Sequence, residues 1–429
     1  MRTALIVLLF GIIAAPQLAF AHAFGQQFTL PLPVNLYLIG GVIAFLISCV
    51  LISFAGNPTS LAPERVLPLS ERAADLVRTI LELILLCGLT GGIALGLFGV
   101  QSAYFNPLTY IFWIGLILMI PYLSVLIGGI WEAGNPFKAL LSLISPALPE
   151  GKRVWNGGYL PALIAYVLLI ILELFFPEVG TEPRFLAVLL LGYAIYLAAC
   201  SFRYGAKDWY RFADAFSVFI GLAGKLAPIR LKERAVVFGS PVPGLVNEAP
   251  KHISLVLFVL FALAATAYDG FRETTAMLNL ILNVLQTPWL PTSFAIFLAF
   301  PFMFFLFYAG ALLAMKMLAK GSLSLKHYLL RFSYSLIPIL FAYHFAHYFS
   351  LMTNSFGILI GADIIWYIQL AVIVLGHTFA AYVAHRIALN EFKEKRTALI
   401  SQLPLVLLMV FYTAFGLWIL AQPFAGGAL

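Results

Sequence analysis

A chain of 429 residues in which 62% are hydrophobic and only 10% are charged cannot fold in water as an apolar core inside a polar shell. These values exclude a soluble globular protein and predict an all-α fold, a polytopic bundle of transmembrane helices in contact with the lipid bilayer. The net charge of +7 does not indicate nucleic-acid binding, because the basic residues border hydrophobic segments and form no continuous stripe.

The first 21 residues have the three parts of a secretory signal. Arg2 is a short basic head, residues 4–14 are apolar, and the motif AFA at 19–21 has the small-x-small form of a cleavage site. We therefore expect a signal peptide over 1–21 and a mature chain that begins at His22. An uncleaved anchor is the alternative, in which case His22 is an ordinary loop residue.

Ten later segments are apolar over the length of about 20 residues that a helix needs to cross a bilayer. They are 34–54, 78–98, 107–130, 159–176, 185–202, 253–270, 291–316, 328–351, 362–387 and 399–420. The sequence thus predicts a first membrane half over 22–202 and a second half over 253–429. Between them, 203–252 is too charged to cross and is predicted to be a cytoplasmic loop with an interfacial helix.

The basic residues predict the orientation of these spans. If the mature amino terminus is periplasmic, 22 of the 24 Lys and Arg that follow the signal lie on the cytoplasmic side. Only Arg184 and Arg272 then lie on the periplasmic side. Basic residues accumulate on the cytoplasmic side of membrane proteins. The sequence therefore predicts a bacterial inner-membrane protein with both mature termini on the periplasmic side.

Two histidines of the eighth span are the first candidates for a functional site. His344 and His347 are three residues apart, so both project from one side of a helix, about 4.5 Å apart along its axis. Ionisable groups at membrane depth are costly and are candidates for function by default. A mature amino-terminal His22 adds an α-amine and an imidazole, and such nitrogen ligands suit copper or zinc. We predict a metal site formed by these three histidines.

Three carboxylates at predicted periplasmic helix ends accompany this site. Asp363, Asp269 and Glu173 are available as acceptors for the ligating imidazoles or as a base. Asp363 is the candidate catalytic base, because it would take a proton from a metal-bound water.

Haem is a competing cofactor for the same histidines. A haem with two histidine ligands needs its imidazoles at one depth, whereas His377 in the ninth span is predicted about 10 Å deeper than His344. Copper or zinc is therefore preferred, and haem is the less favoured cofactor.

Small residues and prolines suggest two further roles. Gly88, Gly92 and Gly96 form a seam that lets another helix approach closely, either within the chain or in another subunit of a complex or homo-oligomer. Pro121 in the third span and Pro338 in the eighth occupy matching positions of two five-span halves. Interrupted helices at matching positions are typical of transporters with inverted repeats.

Four stretches of the chain resemble a known family. They are AHAFGQQFTLPLPVNLYLIGG at the mature start, DAFSVFIGLAGKLAPIR in the middle, and AYHFAHYFSLM and GHTFAAYVAHRIAL near the end. Their order is similar to that of the bacterial membrane proteins labelled fenitrothion hydrolase, over about residues 20–390. The resemblance implies a membrane-bound enzyme that hydrolyses organophosphorus triesters, and it supplies no set of catalytic residues.

Three classes of function therefore stay open from the sequence. The histidines favour a metal-dependent membrane hydrolase, and together with the glycine seam they also suit a subunit of a larger respiratory or copper-handling complex. The two matching prolines favour a secondary transporter.

The cleavage site yields the first testable prediction. Amino-terminal sequencing of the purified protein should return His22 as the first residue, because the AFA motif directs cleavage after residue 21. Recovery of Met1 would contradict it and would remove the α-amine from the predicted metal site.

Overall fold

The computed structural model describes residues 34–54, 64–145, 147–392 and 394–422. In chain order the helices are α1 (Val34–Phe54), α2 (Glu71–Phe98), α3 (Pro107–Tyr110), α4 (Ile120–Leu126), α5 (Ile130–Gly134), α6 (Pro136–Ile144), α7 (Leu160–Phe175), α8 (Pro177–Thr181), α9 (Pro183–Tyr204), α10 (Ala206–Ala213), α11 (Ala215–Gly224), α12 (Val242–Asn247), α13 (Ile253–Arg272), α14 (Thr275–Asn279), α15 (Trp289–Leu318), α16 (Leu325–Phe332), α17 (Ile337–Ser355), α18 (Ala362–Glu391), α19 (Lys395–Ser401) and α20 (Leu403–Ala421). The π-helical stretches Ile111–Met119 and Leu280–Leu285 and the 3₁₀ turn Ser333–Leu336 join neighbouring helices, and the strands are β1 (Arg65–Pro68), β2 (Ile127–Gly128), β3 (Ile229–Lys232) and β4 (Ala235–Phe238).

The all-α membrane bundle is confirmed. Within the described residues, eight helical segments are long and apolar enough to cross a membrane: α2, α3 to α4, α9, α13, α15, α16 to α17, α18, and α19 to α20. They correspond to eight of the ten predicted spans. The other two predicted spans, 34–54 and 159–176, are the helices α1 and α7. The signal peptide expected over 1–21 lies outside the described residues.

The described chain divides into two compact units. The first contains 64–241 and 351–359, and the second contains 34–54, 242–350 and 360–422. Helix α1 comes first in sequence but belongs to the second unit, where it packs against α18 and α20.

Burial separates the central helices from those that face lipid. In α13, 89% of the most apolar 18-residue stretch is buried, whereas in α2 the share is 22%. A helix that is apolar on all sides and enclosed by protein is a core element, while an apolar helix with an exposed face contacts the bilayer. Helix α13 is therefore a central element of the second unit, and α2 presents much of its surface to lipid.

The third predicted span, 107–130, ends earlier than the sequence indicates. The helix stops at Leu126, and β2 pairs in parallel with the start of β3. Gly129 follows with a φ of 89°, and a Cβ there would lie 2.5 Å from the carbonyl oxygen of Leu231. Only glycine tolerates both the left-handed backbone and this close approach.

A small sheet in the first unit satisfies the backbone groups released by this unwinding. Its strand order is β1-β4-β3-β2, with β3 and β4 forming an antiparallel hairpin. The segment for which one interfacial helix was predicted thus folds as α10, α11 and this hairpin, followed by α12 in the second unit. Because buried backbone groups need partners, the strand pairing explains how the chain can leave the helix at residue 127.

A buried carboxylate joins two helix starts in the first unit. Asp214 is fully buried, and it caps α11 by accepting a hydrogen bond from the backbone N–H of Phe216 at 3.1 Å. Asn135 caps α6 in the same way, and its amide nitrogen donates to Asp214 Oδ2 at 2.9 Å. The residues that cap α6 and α11 are therefore hydrogen-bonded to each other.

Two further side chains complete what we call the Asp214 cluster, formed by Asp214, Asn135, Tyr193 and Ser217. The Tyr193 hydroxyl donates to Asp214 Oδ1 at 2.9 Å, and the Ser217 hydroxyl donates to Oδ2 at 2.5 Å. Burial raises the pKa of Asp214 above its ordinary value, and the hydrogen bonds from Ser217, Asn135 and Tyr193 oppose that rise in part.

The glycine seam of the second predicted span is a contact within the first unit at two of its three positions. A Cβ at Gly96 would lie 2.8 Å from the carbonyl oxygen of Pro183 and would also collide with the side chain of Leu108. A Cβ at Gly92 would lie 3.1 Å from Leu108 Cδ1, whereas a Cβ at Gly88 would have no neighbour within 4 Å. Helix α2 therefore packs closely against α3 and α9 at its carboxyl-terminal end.

The seam predicts unequal effects of two identical substitutions. Gly96→Ala should lower the free energy of unfolding by about 1–3 kcal/mol, because the added methyl group overpacks the contact with Pro183 and Leu108. Gly88→Ala is the matched control and should be neutral or slightly stabilising, because alanine favours the helix and meets open space. Denaturant unfolding in detergent measures both. Equal effects at the two positions would contradict the packing.

The Asp214 cluster predicts a pH dependence of stability. Because the pKa of Asp214 is raised in the folded state, the folded chain binds this proton more tightly than the unfolded chain. The resulting stabilisation is present below the unfolded-state pKa and is lost as the pH rises through the folded-state pKa. The thermal midpoint of the wild type should therefore rise relative to that of Asp214→Asn as the pH is lowered towards about 4.

Thermal unfolding in detergent at several pH values makes this comparison. Asp208→Asn, an exposed substitution on the adjacent helix α10, is the matched control for the loss of one carboxylate. A thermal midpoint of the wild type that stays level with that of Asp214→Asn, or falls relative to it, as the pH is lowered would contradict the prediction.

Candidate functional site

The predicted histidine pair lies in the interior of the second unit. Both residues are on α17, where His344 is 3% exposed and the side chain of His347 is 19% exposed. The 3₁₀ turn Ser333–Leu336 ends the preceding helix and lets Pro338 occupy the second position of α17. A proline in the first turn of a helix loses no backbone hydrogen bond. The interruption predicted from Pro338 is thus a new helix start about two turns before His344.

Asp269, in the last turn of α13, is the carboxylate that contacts this pair. Its side chain is buried, and its Oδ2 lies 2.6 Å from His347 Nε2. The Tyr348 hydroxyl donates to the same oxygen at 3.1 Å. A negative charge near a helix carboxyl terminus is disfavoured by the helix dipole, and a buried charge needs hydrogen-bond partners. These contacts therefore offset the cost of placing a carboxylate here.

Aromatic contacts hold the rings of this site in place. The ring centroid of Tyr348 lies 4.8 Å from that of His344 and 4.6 Å from that of His347. Gln369 on α18 donates to the carbonyl oxygen of Ala346 at 2.7 Å and so ties α18 to the same turn of α17. We call Asp269, His344, His347 and Tyr348 the Asp269 cluster.

Other side chains approach the backbone of α13 closely at Gly270, beside the cluster. A Cβ at this position would lie 2.9 Å from Ile419 Cγ2, 3.5 Å from the Tyr343 hydroxyl oxygen and 3.6 Å from His347 Nδ1. The hydroxyl and the ring nitrogen therefore face one point on α13. Because Asp269 engages Nε2, Nδ1 is the nitrogen through which His347 would bind a metal or exchange a proton.

The structure distributes the other predicted site residues differently. Asp363 is exposed in the first turn of α18, and within the described residues no hydrogen bond joins it to His344 or His347. Glu173 is buried in α7 of the first unit. His22 lies outside the described residues. Of the three carboxylates considered from the sequence, Asp269 is the one in contact with the pair.

No complete metal centre is present in the part of the chain that the structure describes. Within those residues, no group of three or more His, Cys, Asp or Glu side chains could hold a metal ion. His344 and His347 would therefore need a ligand from elsewhere, and His22 is the candidate that the sequence provides. The arrangement fits a metal only as part of such a shared site.

His377, the residue considered as a second haem ligand, is buried on α18. Its Nδ1 donates to the carbonyl oxygen of Ile373 at 2.8 Å, as a hydrogen bond within one helix. Its ring meets Phe45 of α1 edge-on, with centroids 6.2 Å apart. These contacts pack the ring of His377 between helices of the second unit.

Sequence reasoning overlooked the tyrosines of this site. Tyr348 follows His344 by four residues and so lies on the same side of α17, and Tyr343 directly precedes His344. Their spacing was a usable signal, because a buried phenol needs a hydrogen-bond partner as much as an imidazole does. The partner of Tyr348 on α13, Asp269, cannot be read from α17 alone.

Comparisons with protein-family profiles, with curated proteins and with solved structures give no match to this chain.

Proposed function

We propose that this membrane protein is a metal-dependent hydrolase of organophosphorus esters, with a site on the periplasmic face of the bacterial inner membrane. His22, His344 and His347 would hold one copper or zinc ion. The observation that carries the proposal is the hydrogen bond of 2.6 Å between Asp269 Oδ2 and His347 Nε2. Imidazoles that bind metals almost always donate their other ring nitrogen to a carboxylate or carbonyl, which fixes the tautomer and ring orientation.

The residues of the chain divide the chemistry between them. A bound metal would lower the pKa of a water molecule and polarise the phosphoryl oxygen of the ester. Asp269 orients His347, and its Oδ2 is already hydrogen-bonded to His347 and Tyr348. Asp363 is exposed, so it can pass a proton to solvent, and it is our candidate for the base. The exposed apolar surface of the bundle gives an apolar ester access from the bilayer.

Metal binding tests this proposal through Asp269. Asp269→Asn should weaken metal binding by roughly 10- to 100-fold, because the amide holds His347 less firmly than the carboxylate does. His344→Ala and His347→Ala should each remove a ligand and reduce the metal content further. Elemental analysis after dialysis against competing chelators measures the affinity, and release of nitrophenol from a phosphotriester measures the activity.

Glu173→Gln is the matched control, because it removes a buried carboxylate from the first unit. It should leave metal content and activity at the wild-type level. Equal metal content in the wild type and all variants, or no metal in any of them, would overturn the metal site. Metal binding without ester hydrolysis would overturn only the substrate class, and stable co-purifying chains would then favour a subunit of a larger complex.

A secondary transporter is the second candidate, and the helix irregularities favour it. In the third span a π-helical stretch, Ile111–Met119, lies just before Pro121, and in the eighth a 3₁₀ turn, Ser333–Leu336, lies just before Pro338. Interrupted helices at corresponding positions are a feature of transporters with repeated halves. Absence of metal together with substrate uptake into proteoliposomes would support this reading over the hydrolase.

A further inference from the structure

A charged cleft lies in the first unit, away from the Asp269 cluster. Its charged lining residues are Arg78 and Glu82 of α2, Glu132 of α5 and Lys138 of α6. Helix α5 lies directly against α2, since a Cβ at Gly134 would be 3.0 Å from Leu81 Cβ. Close packing of the two helices therefore fixes one wall of the cleft relative to the other.

The cleft is lined by two cationic and two anionic side chains, and only two of these side chains form an ion pair with each other. Arg78 Nε lies 2.8 Å from Glu82 Oε1. Within the described part of the chain, the side chains of Lys138 and Glu132 make no hydrogen bond or ion pair, with each other or with another residue. An ammonium and a carboxylate thus face one cleft without neutralising each other. A ligand with one negative and one positive group would satisfy both.

Exposed apolar side chains follow the lining residues of this cleft along two of its helices. On α2, Leu83 and Ile84 directly follow Glu82 and are 55% and 61% exposed. On α6, Leu143 and Ile144 directly follow Ser142 of the cleft and are 67% and 72% exposed. Exposed apolar residues on a membrane-spanning helix face acyl chains. Along α2, the cleft therefore lies at the level where charged side chains give way to the surface that contacts lipid.

We propose that this cleft binds the head group of a phospholipid that carries a phosphate and a primary amine, with the acyl chains along Leu83, Ile84, Leu143 and Ile144. Lys138 contacts the phosphate and Glu132 accepts from the ammonium. A phosphoglycerol head group brings a negative charge towards Glu132 with no compensating cation. A quaternary ammonium has no N–H to donate to that carboxylate, so a primary amine is the better ligand.

Native mass spectrometry of the full chain in detergent tests this proposal. The probes are phosphatidylethanolamine, phosphatidylglycerol and phosphatidylcholine with identical acyl chains. Phosphatidylethanolamine should bind roughly fivefold more tightly than either of the others, the difference expected from one additional partly exposed ion pair. Glu132→Gln should abolish this preference. Lys138→Gln should weaken binding of phosphatidylethanolamine and phosphatidylglycerol alike.

Asp75→Asn and Arg72→Gln are matched controls, because both residues are exposed on α2 and lie outside the cleft. They should retain the wild-type lipid preference. Equal binding of the three lipids, or an unchanged preference in Glu132→Gln, would overturn the site. Displacement of phosphatidylethanolamine by equimolar glycerophosphoethanolamine would show that the acyl chains contribute nothing and would overturn the assignment to a lipid.

Discussion

A carboxylate that water cannot reach must be hydrogen-bonded by the protein, and this constraint organises both units of the structure. Asp214 and Asp269 are both buried, and each accepts hydrogen bonds from side chains that are distant in sequence. The partners of Asp214 come from the residue that caps α6, from α9 and from α11, and those of Asp269 come from α17. Since an unpaired buried charge is very costly, each carboxylate specifies which helix surfaces meet.

The same constraint governs where the backbone can leave a helix. Inside a membrane protein, non-helical backbone persists only where other groups satisfy its N–H and C=O. Strand β3 does this for Ile127 and Gly128. The capping side chain of Asn135 does it for the start of α6. The interruptions of the bundle are therefore supported features of the fold, and they create the short helices on which the Asp214 cluster and the charged cleft depend.

The two groups of charged residues with proposed roles differ in how far the protein satisfies them. The Asp269 cluster is enclosed, and its hydrogen bonds orient rings within the second unit. Such an arrangement suits a site that must hold an imidazole in one tautomer. The cleft in the first unit is open and leaves Lys138 and Glu132 without internal partners in the described residues. An open arrangement of that kind suits a ligand that exchanges with the bilayer.

Hydrophobicity and length determined the membrane-spanning segments from the sequence alone, because a helix in lipid must be apolar over its whole crossing. Within the described residues, eight of the ten predicted segments are helical and both long and apolar enough to cross a membrane, and the His344 and His347 pair was recognisable from its helical spacing. The tertiary structure decided that Asp269, and not Asp363, contacts the pair, because helix ends at one membrane face are indistinguishable until their packing is known. It also decided the end of the third span at Leu126, because the strand that replaces the lost helical bonds lies about 100 residues later in the sequence.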